Sequence, residues 1–166
     1  IWGAPAAGDI DNDGEMELIV TSKSGHIFIL NTFGEVELDY DTGQFLMATP
    51  ALGNLDEDSD LEIVVAGYSN SSNIFAVNPD GTDVDGFPFQ LNEKVLRGAA
   101  LADFNGNGKA DIVVATENNH VWLIYDDGSI APDFPFTSED KFRTAPSIVK
   151  FDDFNIILAG CRDNQF

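Results

Sequence analysis

One fourteen-residue pattern recurs along this chain and limits what it can fold into. Residues 4–17 (APAAGDIDNDGEME), 49–62 (TPALGNLDEDSDLE) and 98–111 (GAALADFNGNGKAD) align without gaps, placing Asp9, Asn54 and Asp103 in register at spacings of 45 and 49 residues. A fourth copy begins at Thr144 (TAPSIVKFDDFNIILAG), with Lys150 in the first acidic position, 47 residues after Asp103. Self-similarity at this period means supersecondary units that bury their apolar faces against one another rather than one irregular domain.

The register persists beyond each acidic segment. A β-branched run follows (18–21, 63–66, 112–115), then a polar turn, then an alternating run (26–30, 73–77, 120–125) that ends in a turn carrying Gly34, Gly81 or Gly128. Copies two and three add Gly86-Phe87-Pro88-Phe89 and Asp133-Phe134-Pro135-Phe136, where copy one reads 36–40 (VELDY). No stretch has helical periodicity, so each period holds about four short strands divided by Gly, Asn and Asp turns. Four strands in a period of about 40–50 residues predict a β-propeller blade. The expected fold is all-β, with four-stranded antiparallel blades over about residues 3–46, 47–94 and 95–140 and half a fourth blade over 141–166.

The acidic segments carry the chemistry. Copy one offers Asp9, Asp11, Asp13 and Glu17 at positions 1, 3, 5 and 9; copy two offers Asn54, Asp56, Asp58 and Glu62, and copy three Asp103, Asn105, Asn107 and Asp111. Alternate side chains of a tight turn converge on one point, and a cage of oxygens suits Ca²⁺, which takes about six to eight such ligands. Position 7 varies freely as Glu15, Asp60 or Lys109, as expected where only the backbone carbonyl coordinates. Gly14 and Gly108 at position 6 provide for a positive φ, and Ser59 in copy two predicts a modestly strained turn. An EF-hand starts the same way but needs a bidentate Glu at position 12 and a following helix. Position 12 is Val20, Val65 or Val114 within a strand-like run, which excludes it. Turn propensity of Asp, Asn and Gly explains one such loop but not three in register. Up to three Ca²⁺ sites are expected, with affinity falling from copy one to copy three as the carboxylates fall from four to three to two. Copy four, with Lys150, no glycine and a strand that arrives three residues early, should hold none.

The loop spacing, the Ala-Pro-Ala-Ala lead-in and the blade-length period resemble the FG-GAP and VCBS repeats of secreted bacterial proteins and of integrin α-chain propellers. The Gly-Phe-Pro segments are similar to linkers between blades in bacterial members. The resemblance implies that each acidic loop joins the innermost strand of a blade to the next strand and holds Ca²⁺ on one face of the propeller. It also implies an extracellular protein acting in adhesion, recognition or scaffolding, with lectins and polysaccharide-degrading enzymes among its relatives. Open calcium sites of about 10⁻⁴ to 10⁻³ M fit the same location.

Charge excludes other classes. Eight Lys and Arg stand against 29 Asp and Glu, a net charge of -21, which is unfavourable for nucleic acid and for anionic membrane surfaces. A hydrophobic share of 43% with 13 Phe separates the chain from disordered acidic tails. Twelve of the 29 acids lie within the three loops, so three bound Ca²⁺ would bring -21 to -15. No apolar stretch reaches the roughly 18 residues of a membrane span, so no membrane insertion is expected. The single Cys161 closes an apolar run and reads as a small buried thiol.

Catalysis needs a nucleophile and base, or an acid and base, in one pocket. His26 and His120 occupy equivalent strand openings and read as polar strand-edge residues, while Asp126, Asp127, Asp152 and Asp153 read as turn formers. Phe28, Phe75 and Trp122 are equivalent and should pack blade on blade. Phe87, Phe89, Phe134 and Phe136 should seal outer edges, and Trp2 should meet a neighbouring blade. The sequence therefore points to a calcium-binding, non-catalytic propeller segment of a secreted, cell-surface or periplasmic protein that binds a protein or a glycan. The alternatives are the propeller of a polysaccharide lyase or hydrolase, and a structural spacer. Since rings close with about four to eight blades, the expected partner is the remainder of a longer propeller or a second copy that completes the ring.

Overall fold

The computed structural model describes residues 1–152 and 154–162, so Asp153, expected in a turn, lies outside it. The described residues contain fourteen strands and no α-helix. Strands β1 (Ala6–Gly8), β2 (Glu17–Thr21), β3 (His26–Leu30) and β4 (Val36–Asp41) form one antiparallel meander. The second sheet holds β5 (Ala51–Gly53), β6 (Glu62–Ala66), β7 (Asn73–Val77) and β8 (Phe89–Gln90), and the third β9 (Ala100–Ala102), β10 (Asp111–Ala115), β11 (His120–Ile124) and β12 (Phe136–Thr137), each in the same order. A two-stranded sheet of β13 (Ser147–Lys150) and β14 (Asn155–Leu158) follows. These are three propeller blades and the first two strands of a fourth.

The first strands β1, β5, β9 and β13 lie beside one another from sheet to sheet and form the inner wall. The first three are short and made largely of Ala and Gly because they approach closely. A Cβ on Gly8 would stand 2.9 Å from Leu52 Cδ1, and one on Gly53 would stand 2.8 Å from Leu101 Cδ1.

Alternation of side chains then assigns each blade's residues to its two neighbours. Ile63 and Val65 of β6 join Ile19, Ile27 and Ile29 in the core between the first two blades. Val64 and Ala66 of the same strand join Ile112 and Val114 between the second and third. Val113 and Ala115 of β10 face Ile148 and Ile157 of the fourth sheet. Strands β6 and β10 are therefore buried on both faces, while β2 alternates, with Ile19 at 0% and Leu18 at 41% exposure.

The aromatic positions follow this logic. Phe75 meets Tyr40 edge-on at 6.4 Å, and Trp122 meets Phe89 likewise at 6.3 Å. In each pair a third-strand ring packs on the outer strand of the preceding blade. Phe28 instead stacks on His26 at 5.6 Å, and Trp2 remains exposed beside the Lys23 ammonium.

The Gly-Phe-Pro segments are not inter-blade linkers. The bridges Val77↔Asp83 and Ile124↔Ile130 begin an outer strand, the chain leaves the ladder through Gly-Phe-Pro or Asp-Phe-Pro, and it rejoins the same blade at β8 or β12. Phe87, Phe89 and Phe134 pack into the inter-blade cores, whereas Phe136 stays exposed. Cys161 is half-buried rather than buried, its Sγ donating to the Asp140 carbonyl at 2.9 Å.

Candidate metal centre

The three acidic loops each join the first to the second strand of a blade, so they stand side by side at one end of the molecule. A ladder of side-chain turns builds all three. Asp11 Oδ1 accepts the Asp13 N–H at 3.2 Å and Asp13 Oδ1 that of Glu15 at 2.7 Å; Asp56 and Asp58 serve Asp58 and Asp60 at 2.9 Å each, and Asn105 and Asn107 serve Asn107 and Lys109 at 3.0 and 2.9 Å. This explains the acid or amide at every other position. The residue at position 2 roots the loop: Ile10 and Leu55 are each 1% exposed, inside the inter-blade cores.

Position 9 folds back over the loop from the start of the second strand. The Glu17 carboxylate accepts the Ile10 N–H at 2.9 Å, Glu62 accepts that of Leu55, and Asp111 that of Phe104 at 2.7 Å. At position 6, Gly14 and Gly108 have φ of 92° and 89° and donate to Asp9 and Asp103 at 3.2 and 2.9 Å. Ser59 is not strained as its sequence suggested, for its φ is not positive. The second loop takes another path in which the Asn54 amide donates to the Asp58 carbonyl, so Asn54 and Ser59 depart from the pattern together.

Two of the loops gather carboxylates tightly. Asp9, Asp11 and Glu17 each present an oxygen within 4.8 Å of the others, and so do Asp56, Asp58 and Glu62. Glu62 is fully buried, and its Oε1 has no hydrogen-bond partner among the described residues; Asp9 Oδ1 is likewise buried and unpartnered. Burial pushes the Glu62 carboxyl up to about 7, with the Asp56 and Asp58 charges adding to it and the Leu55 N–H opposing. Burial also raises Glu17 and Asp111 above the ordinary carboxylate range. An orphaned buried carboxylate oxygen beside two more carboxylates is costly without a cation and fits a hard, oxygen-seeking divalent ion.

A pH dependence follows for chelated protein. Glu62 binds its proton more tightly folded than unfolded, so its contribution to stability is complete below about pH 4.5 and is lost as pH rises through about 7. Glu17 and Asp111 act in the same direction. Melting in chelator should fall by several degrees between pH 5 and pH 7.5; a flat or rising profile would contradict the burial argument.

The third loop is arranged differently. Asp126, assigned to a turn from sequence, is 9% exposed and reaches back into the loop, where its Oδ1 accepts from Asn105 and Asn107 Nδ2 at 3.3 and 2.8 Å. Lys109 Nζ lies 3.6 Å from Asp126 and 3.9 Å from Glu57 of the neighbouring loop. Two amides and an ammonium thus meet the acid charge. Adjacent loops touch through the same positions, since Asn12 donates to the Ser59 carbonyl at 2.6 Å and to Asp60 at 3.2 Å, much as Lys109 reaches Glu57. Nothing in local sequence joins Asp126 to residues 15 to 23 positions earlier; only the pairing of β10 with β11 brings it there.

The histidines open third strands, at the end of each blade opposite the loops. His26 Nδ1 lies 2.6 Å from Asp39 and His120 Nδ1 lies 2.6 Å from Glu93. The Asp39 hydrogen bond raises His26 above its ordinary value.

The FG-GAP-like repeat family matches residues 54–114, from the first position of the second loop into β10. The matched segment is an FG-GAP-like repeat. It runs from the second acidic loop through β6, β7 and β8 and on through β9 and the third loop into β10, so it straddles two sheets. No curated protein matches the sequence as a whole. Among solved structures, the blades superpose on the C-terminal domain of Pseudomonas aeruginosa PilY1 with a TM-score of 0.69 at 14% identity, over 96% of this chain and 44% of that one. They superpose equally, at 0.69 and 13% identity, on BBS1N from its complex with ARL6DN, over 96% of this chain and 47% of that one. At such identities the likeness is one of fold, and this chain spans less than half of either.

Proposed function

We propose that the chain is a calcium-stabilised, non-catalytic FG-GAP-type propeller segment of a secreted or cell-surface protein that recognises a protein or a glycan. The orphaned, buried Glu62 oxygen among Asp56 and Asp58 carries this reading. Residues Asp9, Asp11, Asp13 and Glu17 would hold one Ca²⁺ with the Glu15 carbonyl; Asn54, Asp56, Asp58 and Glu62 would hold a second with that of Asp60. In the third loop Asp103, Asn105, Asn107, Asp111 and the Lys109 carbonyl complete the pattern, with the Lys109 ammonium as a built-in competitor. Bound Ca²⁺ supplies charge neutralisation and cross-links residues of one loop, which fixes the loop face as a rigid surface. Sites of this openness fill at extracellular calcium levels.

Val149, Phe151, Phe154, Ile156 and Leu158 expose apolar surface on the last sheet. This supports completion of the ring by the remainder of a longer propeller or by a second copy. Recognition is tested by probing glycan and protein arrays with the labelled chain in Ca²⁺ and in chelator. Calcium-dependent binding to a defined set of ligands is the expected result, and the absence of any binding in Ca²⁺ would leave only a spacer.

A further inference from the structure

The end of the blades opposite the acidic loops is built from other chemistry. Six of the eight basic residues lie there: Lys23 in the β2–β3 turn, Lys94 and Arg97 between β8 and β9, Lys141 and Arg143 between β12 and β13, and Arg162 after β14. Arg97 and Arg143 each stand just ahead of an innermost strand, one register position apart in successive repeats. They flank an open cleft of about 420 Å³ at the mouth of the inner wall, shared with Thr49, Pro50, Thr144 and Ala145.

Each guanidinium is anchored through its Nε. Arg97 Nε donates to the Arg143 carbonyl at 3.4 Å, and Arg143 Nε pairs with Glu117 at 3.0 Å, whose other oxygen accepts the Tyr68 hydroxyl at 2.7 Å. Among the described residues no hydrogen bond or ion pair engages the terminal nitrogens of either arginine. Two oriented forks with free terminal donors suit a planar carboxylate. Thr49 Oγ1 accepts the Ala4 N–H at 3.2 Å and keeps its own proton for a ligand, while Pro50 and Ala145 give the cleft an apolar side. The size is that of a small-molecule site.

We propose that this cleft binds a compact hydroxylated carboxylate, such as one uronic acid residue of a glycan, with the carboxylate on Arg97 and Arg143 and its hydroxyls on the threonines. The net charge of -21 selects against a long polyanion, because only the group inside the cleft escapes repulsion from the rest of the surface. The inference deepens the recognition reading above and does not depend on the metal loops.

The test titrates the full chain, in calcium buffer, with D-galacturonate, D-galactose and inorganic sulfate, followed by calorimetry or amide NMR shifts. Galacturonate should bind saturably, galactose should not bind, and sulfate should be weaker. Arg97→Gln, which breaks no ion pair among the described residues, should weaken galacturonate about tenfold and leave melting unchanged. Arg143→Gln should weaken it comparably while also releasing Glu117, so its melting is measured alongside. An Arg97→Gln variant that binds galacturonate as well as the parent would overturn the proposal. So would the absence of galacturonate binding, or sulfate or galactose binding as tightly. Array binding retained by Arg97→Gln would place recognition elsewhere on the chain, which separates failure of this site from failure of the broader reading.

Discussion

Calcium in large excess should raise the melting temperature of this chain by about 10–20 °C over protein in chelator. A ligand present at one hundred times its dissociation constant adds about 2.7 kcal/mol per site, and each kcal/mol moves the midpoint of a chain of this size by roughly 2–4 °C. Two filled sites, at the clusters around Glu17 and Glu62, produce the range; a third would extend it. The Glu62→Gln substitution separates cation binding from simple burial because its two effects have opposite signs. In chelator at pH 7.5 the variant should melt higher than the parent, since a neutral amide replaces a carboxylate whose ionisation is opposed by burial and by Asp56 and Asp58. In calcium it should melt lower, having lost a ligand and about half the increment. Scanning calorimetry of both proteins in both buffers checks this, and an unchanged midpoint on adding Ca²⁺ to the parent would remove the metal assignment.

The repeat made most of the fold legible. Because each blade is specified by its own 45 to 49 residues and by its neighbours, aligning Asp9, Asn54 and Asp103 located the inner strand, the loop and the two central strands of every blade. The equivalence of Phe28, Phe75 and Trp122 likewise anticipated blade-on-blade packing, which Phe75 and Trp122 make, while Phe28 stacks on His26 of its own strand. What escaped was set by relations the period does not encode. Ser59 reads as strain only if the loop keeps the backbone of its siblings, and Asn54, five residues earlier, supports a different path. Asp126 enters the third loop through strand pairing, not through sequence proximity. The Gly-Phe-Pro segment looks like a connection because proline interrupts the ladder; the bridges at Asp83 and Ile130 show the interruption to lie inside a strand. Glu93 carried no local signal, although it organises the junction between two blades.

That junction should be the most sensitive polar point of the structure. Glu93 is 9% exposed in the connection leading out of the second blade, and three donors of the third blade converge on it: Thr116 Oγ1 at 2.6 Å, His120 Nδ1 at 2.6 Å and Trp122 Nε1 at 3.2 Å. Its own backbone carbonyl accepts from Ser72 of the second blade, so one residue ties both sides. Replacing it with alanine leaves these donors at a largely closed interface, a cost of about 3 kcal/mol that should lower the melting midpoint by roughly 6–12 °C. The equivalent residue one junction earlier provides an internal control. Gln44 accepts the Asn73 N–H on Oε1 at 2.9 Å and donates Nε2 to the Ser71 carbonyl at 3.5 Å, both neutral bonds, and Gln44→Ala should cost only about 1 kcal/mol. Glu93→Gln, which can still accept but carries no charge, should fall between the two. In a linear array a weakened junction also lowers the coupling between the blades on either side, so the Glu93→Ala transition should broaden as well as shift. Calorimetric midpoints and widths of the three variants settle the matter: if Glu93→Ala proves no more damaging than Gln44→Ala, the carboxylate is a surface ornament of the junction rather than the bond that holds the second and third blades in register.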